Sequence, residues 1–492
     1  MMPSREQLNS TREVNINSSL LIISIGRVIQ ILLSIVVIKV STTYLGSSEM
    51  GVFYLLTSLL SYFGLTLIGP IGNYINRNVH KWRSEGKVFE NFLKYNAYLI
   101  GISILSIPIV YICTKYLGIL TNLNTLHLIL VIGFGIYFTT LNTFFAPTLN
   151  LFNFRISFVV FSNLTLLFNI IFSILLINLF ETSGLWWFSG QILSQILFTL
   201  ISGVYFFSKI KEERSPTKVF SFNKNDIKPV LSFTLPLAIA TFFLWATNES
   251  YRFIIERFLS LEYLGFLAVG IAISTKVSTA VETLLHQLLH PAFFDSINTH
   301  DQNIRELAWN SFFRASLPSY ISVTIFMAFL SPFLIRILSG EEFYNAWVFL
   351  IFGAVLNLIR MITNHVALIA HTEYKTKSLI IPGFISAISS VGLVQLNVFN
   401  DAYFYLVPIS LIAGAFLGMI SMIFQMNKIL KISIKVGDIF IPIIFGSIYY
   451  LATLFYGQNS DLLFSIGITA AFGVYFILTQ LFFFKRNKVL GP

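Results

Sequence analysis

The chain has 492 residues, of which 55% are hydrophobic and only 11% charged, with a mean hydropathy of +0.78. A soluble globular protein carries roughly 25% charged residues, so this composition cannot cover a water-facing exterior. It excludes a soluble enzyme, a disordered chain and a nucleic-acid-binding domain, and it leaves an integral membrane protein. The net charge of +10 then reads as topology, because cytoplasmic loops collect Lys and Arg. The lone Cys113 lies within an apolar run and offers neither a disulfide framework nor a thiolate metal cluster.

Met1 to Ser19 is polar and carries Arg5, Glu6, Arg12 and Glu13. The apolar stretch after it is too long for a signal-peptide core and lacks a small-residue cleavage pattern, so it is expected to be an uncleaved first transmembrane helix. A spanning helix needs about 20 apolar residues. By that rule the sequence predicts about fourteen spans, at 17–44, 49–76, 93–115, 124–150, 156–180, 185–208, 229–257, 262–287, 309–337, 345–371, 378–398, 403–426, 438–456 and 461–484. The 262–287 segment is the weakest, because Lys276 and Glu282 interrupt it. Continuous apolar runs, without period-2 alternation, exclude a transmembrane β-barrel.

Lys and Arg fall unevenly on the connections. With the N-terminus inside, the inner segments hold 24 of them and the outer segments 2, Lys115 and Arg336. The expected topology therefore has both termini cytoplasmic. The longest connection, the basic segment 209–228, is a cytoplasmic linker that divides the chain. Residues 1–208 form one six-helix lobe, 229–426 a second, and 427–492 an additional helix pair with a cytoplasmic tail. The lobes echo each other at an offset of 214 residues, where Tyr44-Leu45-Gly46-Ser47-Ser48-Glu49-Met50-Gly51 corresponds to Phe258-Leu259-Ser260-Leu261-Glu262-Tyr263-Leu264-Gly265. Repeated bundles that rock about a central site are a common transporter plan. The fold class is an all-α polytopic membrane protein, two six-helix lobes related by an internal repeat plus a C-terminal pair.

Three segments carry a resemblance to a known family. They are Leu45-Gly46-Ser47-Ser48-Glu49-Met50-Gly51-Val52-Phe53, the run Leu235-Pro236 followed by Asn248-Glu249-Ser250-Tyr251-Arg252-Phe253-Ile254-Ile255, and the turn Leu338-Ser339-Gly340-Glu341-Glu342-Phe343-Tyr344-Asn345-Ala346. In these and in its layout the chain resembles the Wzx-type flippases of O-antigen and capsule repeat units. Those belong to the multidrug/oligosaccharidyl-lipid/polysaccharide exporter superfamily, with the multidrug-and-toxin extruders and the lipid II flippase. The resemblance implies alternating access between two lobes.

Six basic residues remain at membrane depth or near a span end: Arg27, Lys39, Arg252, Arg257, Lys276 and Arg360. A charge at the bilayer centre costs roughly 2.5–3.5 kcal/mol on insertion scales, so each deep one is expected to line a polar cavity or to bond a neighbouring helix. Lys39 and Arg257 lie near span ends and are expected to snorkel. Asn357, Arg360, Asn364 and His371 form one stripe at i, i+3, i+7 and i+14; Ser24, Arg27, Gln30 and Ser34 form another. Glu249, Arg252 and Glu256 share a face, either to act on a substrate or coupling ion or to neutralise one another within the helix. The first lobe has no acid at membrane depth, whereas the second has Glu249, Glu256 and Glu282. Deep cations with few acids favour an anionic substrate.

Pro70, in Gly69-Pro70-Ile71-Gly72-Asn73, reads as a hinge or an ordinary bend; Pro147 and Pro236 are weaker cases. Glu282, His286 and His290 share a face with no fourth ligand in view, so a proton relay or an interfacial polar face is expected there ahead of a metal. No Walker-type loop is present, and no catalytic constellation marks an enzyme.

The leading expectation is a flippase that moves an undecaprenyl-pyrophosphate-linked oligosaccharide, as in O-antigen and lipopolysaccharide synthesis, from the inner to the outer leaflet of a bacterial plasma membrane. Substrate-binding candidates are Arg27, Arg252, Lys276, Asn357, Arg360 and Asn364. Coupling candidates are Glu249, Glu282 and His286, and Pro70 is the hinge. No cofactor or metal is expected beyond H⁺ or Na⁺ coupling. Expected partners are the lipid-linked oligosaccharide, membrane lipids, and a polysaccharide polymerase with its chain-length machinery, with no nucleic acid. The alternatives are a multidrug/cation antiporter of the same superfamily and, further off, a membrane polysaccharide polymerase or ligase.

Overall fold

A computed structural model of the chain describes residues 5–209, 224–297, 299, 301–456 and 461–486, with side chains described from 22 to 209 and from 228 onward within these ranges. Most of the expected 209–228 linker, residues 210–223, lies outside the described residues. Among the described residues there is no strand, and 14 helices are long and apolar enough to cross a membrane. They are span one Ile22–Tyr44, two Ser47–Ser84, three Val88–Lys115, four Thr125–Leu151, five Arg155–Leu179, six Gly184–Lys209 and seven Lys228–Phe258. Eight is Leu261–Ile297, nine Gln302–Leu338, ten Glu341–Thr372, eleven Thr376–Asn397, twelve Tyr403–Asn427, thirteen Val436–Phe455 and fourteen Leu462–Arg486.

Every expected span is found, but three run further than their apolar cores. Spans eight and nine have 37 residues each, which at 1.5 Å per residue is about 55 Å against a hydrocarbon layer of about 30 Å. Span two continues through Arg77, Lys81 and Arg83 to Ser84, and its chain turns only at Gly86, whose φ is +66°. A count of apolar residues stops at the first charge. The helical hydrogen-bond ladder stops only where a glycine or cap releases it. For the same reason Lys276 and Glu282 do not interrupt span eight.

Span two is irregular in its middle. Its helix runs as α-helix over Ser47–Tyr62, widens to a π-helix over Phe63–Ile68 and resumes as α-helix at Gly69. Pro70 sits in the first turn of that last helix, where its missing N–H leaves little unmet. The distortion expected at Pro70 therefore lies in the turn before it. By contact the chain forms two units, Met1–Val37 with Leu67–Leu231, and Ile38–Thr66 with Ser232–Pro492. The chain crosses between units within spans one, two and seven, and in span two it does so inside the π-helical segment.

In the first unit small residues bring helices close. A Cβ on Gly190 of span six would meet the backbone of Ser173 in span five, and the Ser173 hydroxyl donates to the Trp187 carbonyl at 2.8 Å. Such close packing substitutes for the hydrophobic drive that is missing between helices in lipid. Spans three, four and six enclose an aromatic cluster of Phe92, Phe144, Phe145, Phe206 and Phe207.

The second unit holds a reciprocal contact. A Cβ on Gly51 of span two would collide with the Leu261 carbonyl of span eight, and a Cβ on Gly265 of span eight would collide with the Ser47 carbonyl of span two. The 214-residue offset relates Ser47 to Leu261 and Gly51 to Gly265, so each half of this crossing is the counterpart of the other. Around it, the turn after span nine docks on the turn between spans one and two. The Ser47 N–H donates to Glu342 Oε1 at 2.7 Å, which caps the start of span two. The Gly340 N–H donates to Thr42 Oγ1 at 2.8 Å. Lys39 does not snorkel: its ammonium donates to the carbonyls of Arg336 and Ser339 and caps the end of span nine. Span thirteen is clipped in place by the fully buried Asp438, which accepts from Arg314 Nε of span nine at 2.9 Å and lies 3.5 Å from Arg486 Nη2 of span fourteen.

Two carbonyls thus leave no room for side chains at the crossing. Gly265→Val drives two methyl groups into the Ser47 carbonyl and is expected to cost about 1–3 kcal/mol, read as a lower melting temperature of the purified protein in detergent. Gly467→Val, at a site whose Cβ would meet nothing within 4 Å, is the control and should melt like the parent.

Candidate functional site

Span seven breaks where its charges lie. One helix ends at Asn248, a second runs Tyr251–Phe258, and Glu249 and Ser250 form the turn between them. The break brings Glu249 and Arg252 against span two. Arg252 Nη1 lies 2.5 Å from Glu249 Oε2, and donates to Ser58 Oγ at 2.8 Å and to the Tyr54 carbonyl at 3.2 Å. Ser58 Oγ is 3.0 Å from the same Glu249 oxygen, and Trp245 Nε1 donates to the Ser58 carbonyl at 3.0 Å. The guanidinium also lies 5.2 Å from the centre of the Tyr54 ring. The i, i+3 pair expected from the spacing is present; the spacing gave no sign of Ser58, Tyr54 and Trp245, which complete it.

The other sequence-selected residues fall into three kinds. Asn357 of span ten is buried and uses its amide to hold span eight, donating to Ser274 Oγ at 2.9 Å, Thr275 Oγ1 at 3.1 Å and its own helix's Gly353 carbonyl at 2.8 Å. Arg27, in the first unit, donates to Gln30 Oε1 at 2.7 Å and lies 5.2 Å from the Phe158 ring. The third kind has no partner. Arg360 is half-buried, with its Nε enclosed and without a hydrogen bond. Its electrostatic neighbours are Tyr251, Glu249 and Arg252. Lys276 is exposed and, among the described residues, has neither hydrogen bond nor ion pair. Asn364 and His371, further along the span-ten stripe, are exposed.

The second unit therefore presents one neutralised pair, Glu249–Arg252, beside the unsatisfied guanidinium of Arg360, and a further unsatisfied ammonium on Lys276. Chemically Arg360 and Lys276 are free donors suited to oxyanions, while Glu282 of span eight is an equally unpaired acid among the described residues. Arg305 and Glu373, by contrast, satisfy each other in a two-pronged pair at 2.8 and 3.2 Å that ties the start of span nine to the end of span ten.

Residues 90–348 match the protein family described as polysaccharide biosynthesis protein. No curated protein matches the sequence significantly. Among solved structures the chain is similar to the lipid II flippase MurJ in its inward closed conformation, with 15% identity and a TM-score of 0.66 over 95% of this chain and 99% of that one. It is similar to an inward-facing multidrug resistance MATE family transporter of the MOP superfamily, with 12% identity and a TM-score of 0.58 over 81% of this chain and 94% of that one. It is also similar to a MATE in complex with MaL6, with 13% identity and a TM-score of 0.52 over 84% and 96% of the two chains. At these identities the likeness is one of fold: a polytopic, all-helical fold shared with MOP-superfamily transporters.

Neutralising one member of the span-seven pair strands the other. Glu249→Gln should lower stability by about 3 kcal/mol, because it leaves Arg252 buried without its counter-charge. The Glu249→Gln, Arg252→Gln double variant should regain part of that loss in the same thermal melt.

Proposed function

The chain belongs to the polysaccharide biosynthesis protein family, and on that premise we propose that it is a flippase for undecaprenyl-pyrophosphate-linked oligosaccharides. It carries them by alternating access from the inner to the outer leaflet of a bacterial plasma membrane, with both termini cytoplasmic, and supplies a polymerase and its chain-length machinery. The observation that carries this reading is Arg360, a half-buried guanidinium with no hydrogen-bond or ion-pair partner among the described residues. A pyrophosphate offers compact negative charge, and a guanidinium fork grips two of its oxygens at once. Lys276 adds a second free cation as a point charge. Arg252, tied to Glu249, Ser58 and Tyr54, fixes the broken span-seven helix against span two. The likeness to a lipid II flippase over nearly the whole chain supports the same reading.

A multidrug or cation antiporter is the second reading, supported by the likeness to MATE transporters. An organic cation calls for a carboxylate with no cation of its own. Glu249 is already paired and Glu256 has contacts of its own, so Glu282, with no hydrogen bond or ion pair among the described residues, is the acid such a substrate would use.

Complementation of a deletion strain separates the two. Arg360→Ala or Lys276→Ala should lower surface polysaccharide about tenfold, the worth of a lost charge-assisted hydrogen bond, with protein still in the membrane. Arg360→Lys should recover only part, since the charge remains and the fork is gone. Full polysaccharide from a Lys276→Glu, Arg360→Glu double variant at normal expression refutes the cationic site. A deletion strain with normal polysaccharide and raised sensitivity to cationic drugs favours the antiporter.

A further inference from the structure

Spans eight, nine and ten bring three imidazoles together apart from the cation site. His286 and His290, one turn apart on span eight, stack with ring centres 4.3 Å apart and planes at 22°. His365 of span ten meets His286 edge-on at 6.4 Å and is only 3% exposed. Span nine closes the cluster with Phe312, whose ring centre lies 4.2 Å from that of His365, 5.3 Å from His290 and 5.8 Å from His286. Its Tyr320 hydroxyl lies 3.4 Å from His365 Nδ1. The Nε2 atoms of His290 and His365 are enclosed without a hydrogen-bond partner. Glu282, one turn before His286, is half-buried and has no hydrogen bond or ion pair among the described residues.

Histidines packed only for shape would have their ring nitrogens satisfied, since a buried polar atom without a partner is costly. Here two enclosed nitrogens are left open, and each can accept a proton in the tautomer that leaves it unprotonated. The stack limits the number. Two charged rings at 4.3 Å repel each other, whereas one charged ring is stabilised by the face of its neutral neighbour and by the Phe312 face. Glu282, one turn before His286 on the same helical face, is the carboxylate of the cluster. Tyr320 is the ionisable group that span nine turns to the cluster, while its Arg305 and Arg314 are held by Glu373 and Asp438. On span ten Arg360 has its electrostatic neighbours on span seven, Glu341 and Glu342 lie at the opposite end from His371, which is exposed, and Glu373 just past the span is held by Arg305. We propose that Glu282, His286, His290 and His365 form a site for one exchangeable proton, and that transport is coupled to proton movement through it. The coupling rests on the transport reading above; the site itself does not.

Trp309 provides a reporter, because its ring centre lies 5.8 Å from that of His365 and a protonated imidazole quenches an adjacent indole. The purified full-length protein in detergent, titrated from about pH 8 to about pH 4 across the ordinary histidine range, should show one reversible quenching step. That step should vanish in Trp309→Phe and in His365→Gln, and should need a more acidic medium in Glu282→Gln. A flat titration, or one that His365→Gln leaves unchanged in a protein that still elutes as the parent does, overturns the site. Polysaccharide export that keeps its pH dependence in a His286→Gln, His290→Gln variant overturns the coupling. The titration needs no cargo. A normal quenching step alongside normal polysaccharide in the deletion strain therefore sinks the flippase reading and upholds the proton site.

Discussion

In hydrocarbon a charged side chain must be met by a counter-charge or by a full set of hydrogen bonds, and the second unit is organised around that requirement. The ion pair of Glu249 and Arg252 lies where span seven stops being a continuous helix. A broken helix exposes carbonyls and amides that lipid cannot satisfy. Here the break faces protein, and the Ser58 hydroxyl and Tyr54 carbonyl of span two accept what the guanidinium donates. The pair thus anchors span two to the distorted part of span seven. Removing it would leave the bond from Trp245 to the Ser58 carbonyl and the contact of the Trp245 and Tyr62 rings to join span two to span seven.

The contrast between satisfied and unsatisfied charges separates structure from function. Asp438, Arg314, Arg305, Glu373 and Lys39 are each matched by a partner on another helix or by helix-end carbonyls. Arg360, Lys276 and Glu282 are not. Since an unmatched charge in this setting is destabilising, its retention is best explained by a ligand that arrives and leaves. Under the proposed reading Arg360 and Lys276 await an anion. Glu282, beside the histidine stack, awaits a proton.

Much of this was legible in the sequence, because the properties that define a span are local. Twenty apolar residues in a row announce a helix wherever they lie, and the fourteen spans emerged from that rule with errors only at their ends. The Glu249–Arg252 pair was equally visible, since both residues sit on one face of one segment. What the sequence withheld lies across segments. Ser58 is one serine in an apolar helix, and nothing near it marks it as the hydroxyl that completes a pair almost two hundred residues away. His365 lies on span ten, far in sequence from the two histidines of span eight with which it belongs. The Asn357 stripe had the right face, but the spacing could not tell that Ser274 and Thr275 already occupy its amide. Pro70 drew the eye from the π-helical turn before it, which has no composition of its own.

The crossing of Gly51 and Gly265 has a further consequence. Residue i touches j on one side while the counterpart of i touches the counterpart of j on the other, which is the arrangement two identical subunits make across a twofold axis. Here both partners lie in one covalent chain, so at these two glycines the contact has the form of an isologous interface. A homodimer of identical subunits has to keep such a surface self-complementary at every position. A single chain is released from that demand everywhere except where the halves still touch backbone to backbone. The two glycines mark that residue of symmetry, and elsewhere each half is free to acquire its own chemistry, as the confinement of the deep acids to the second half of the sequence displays.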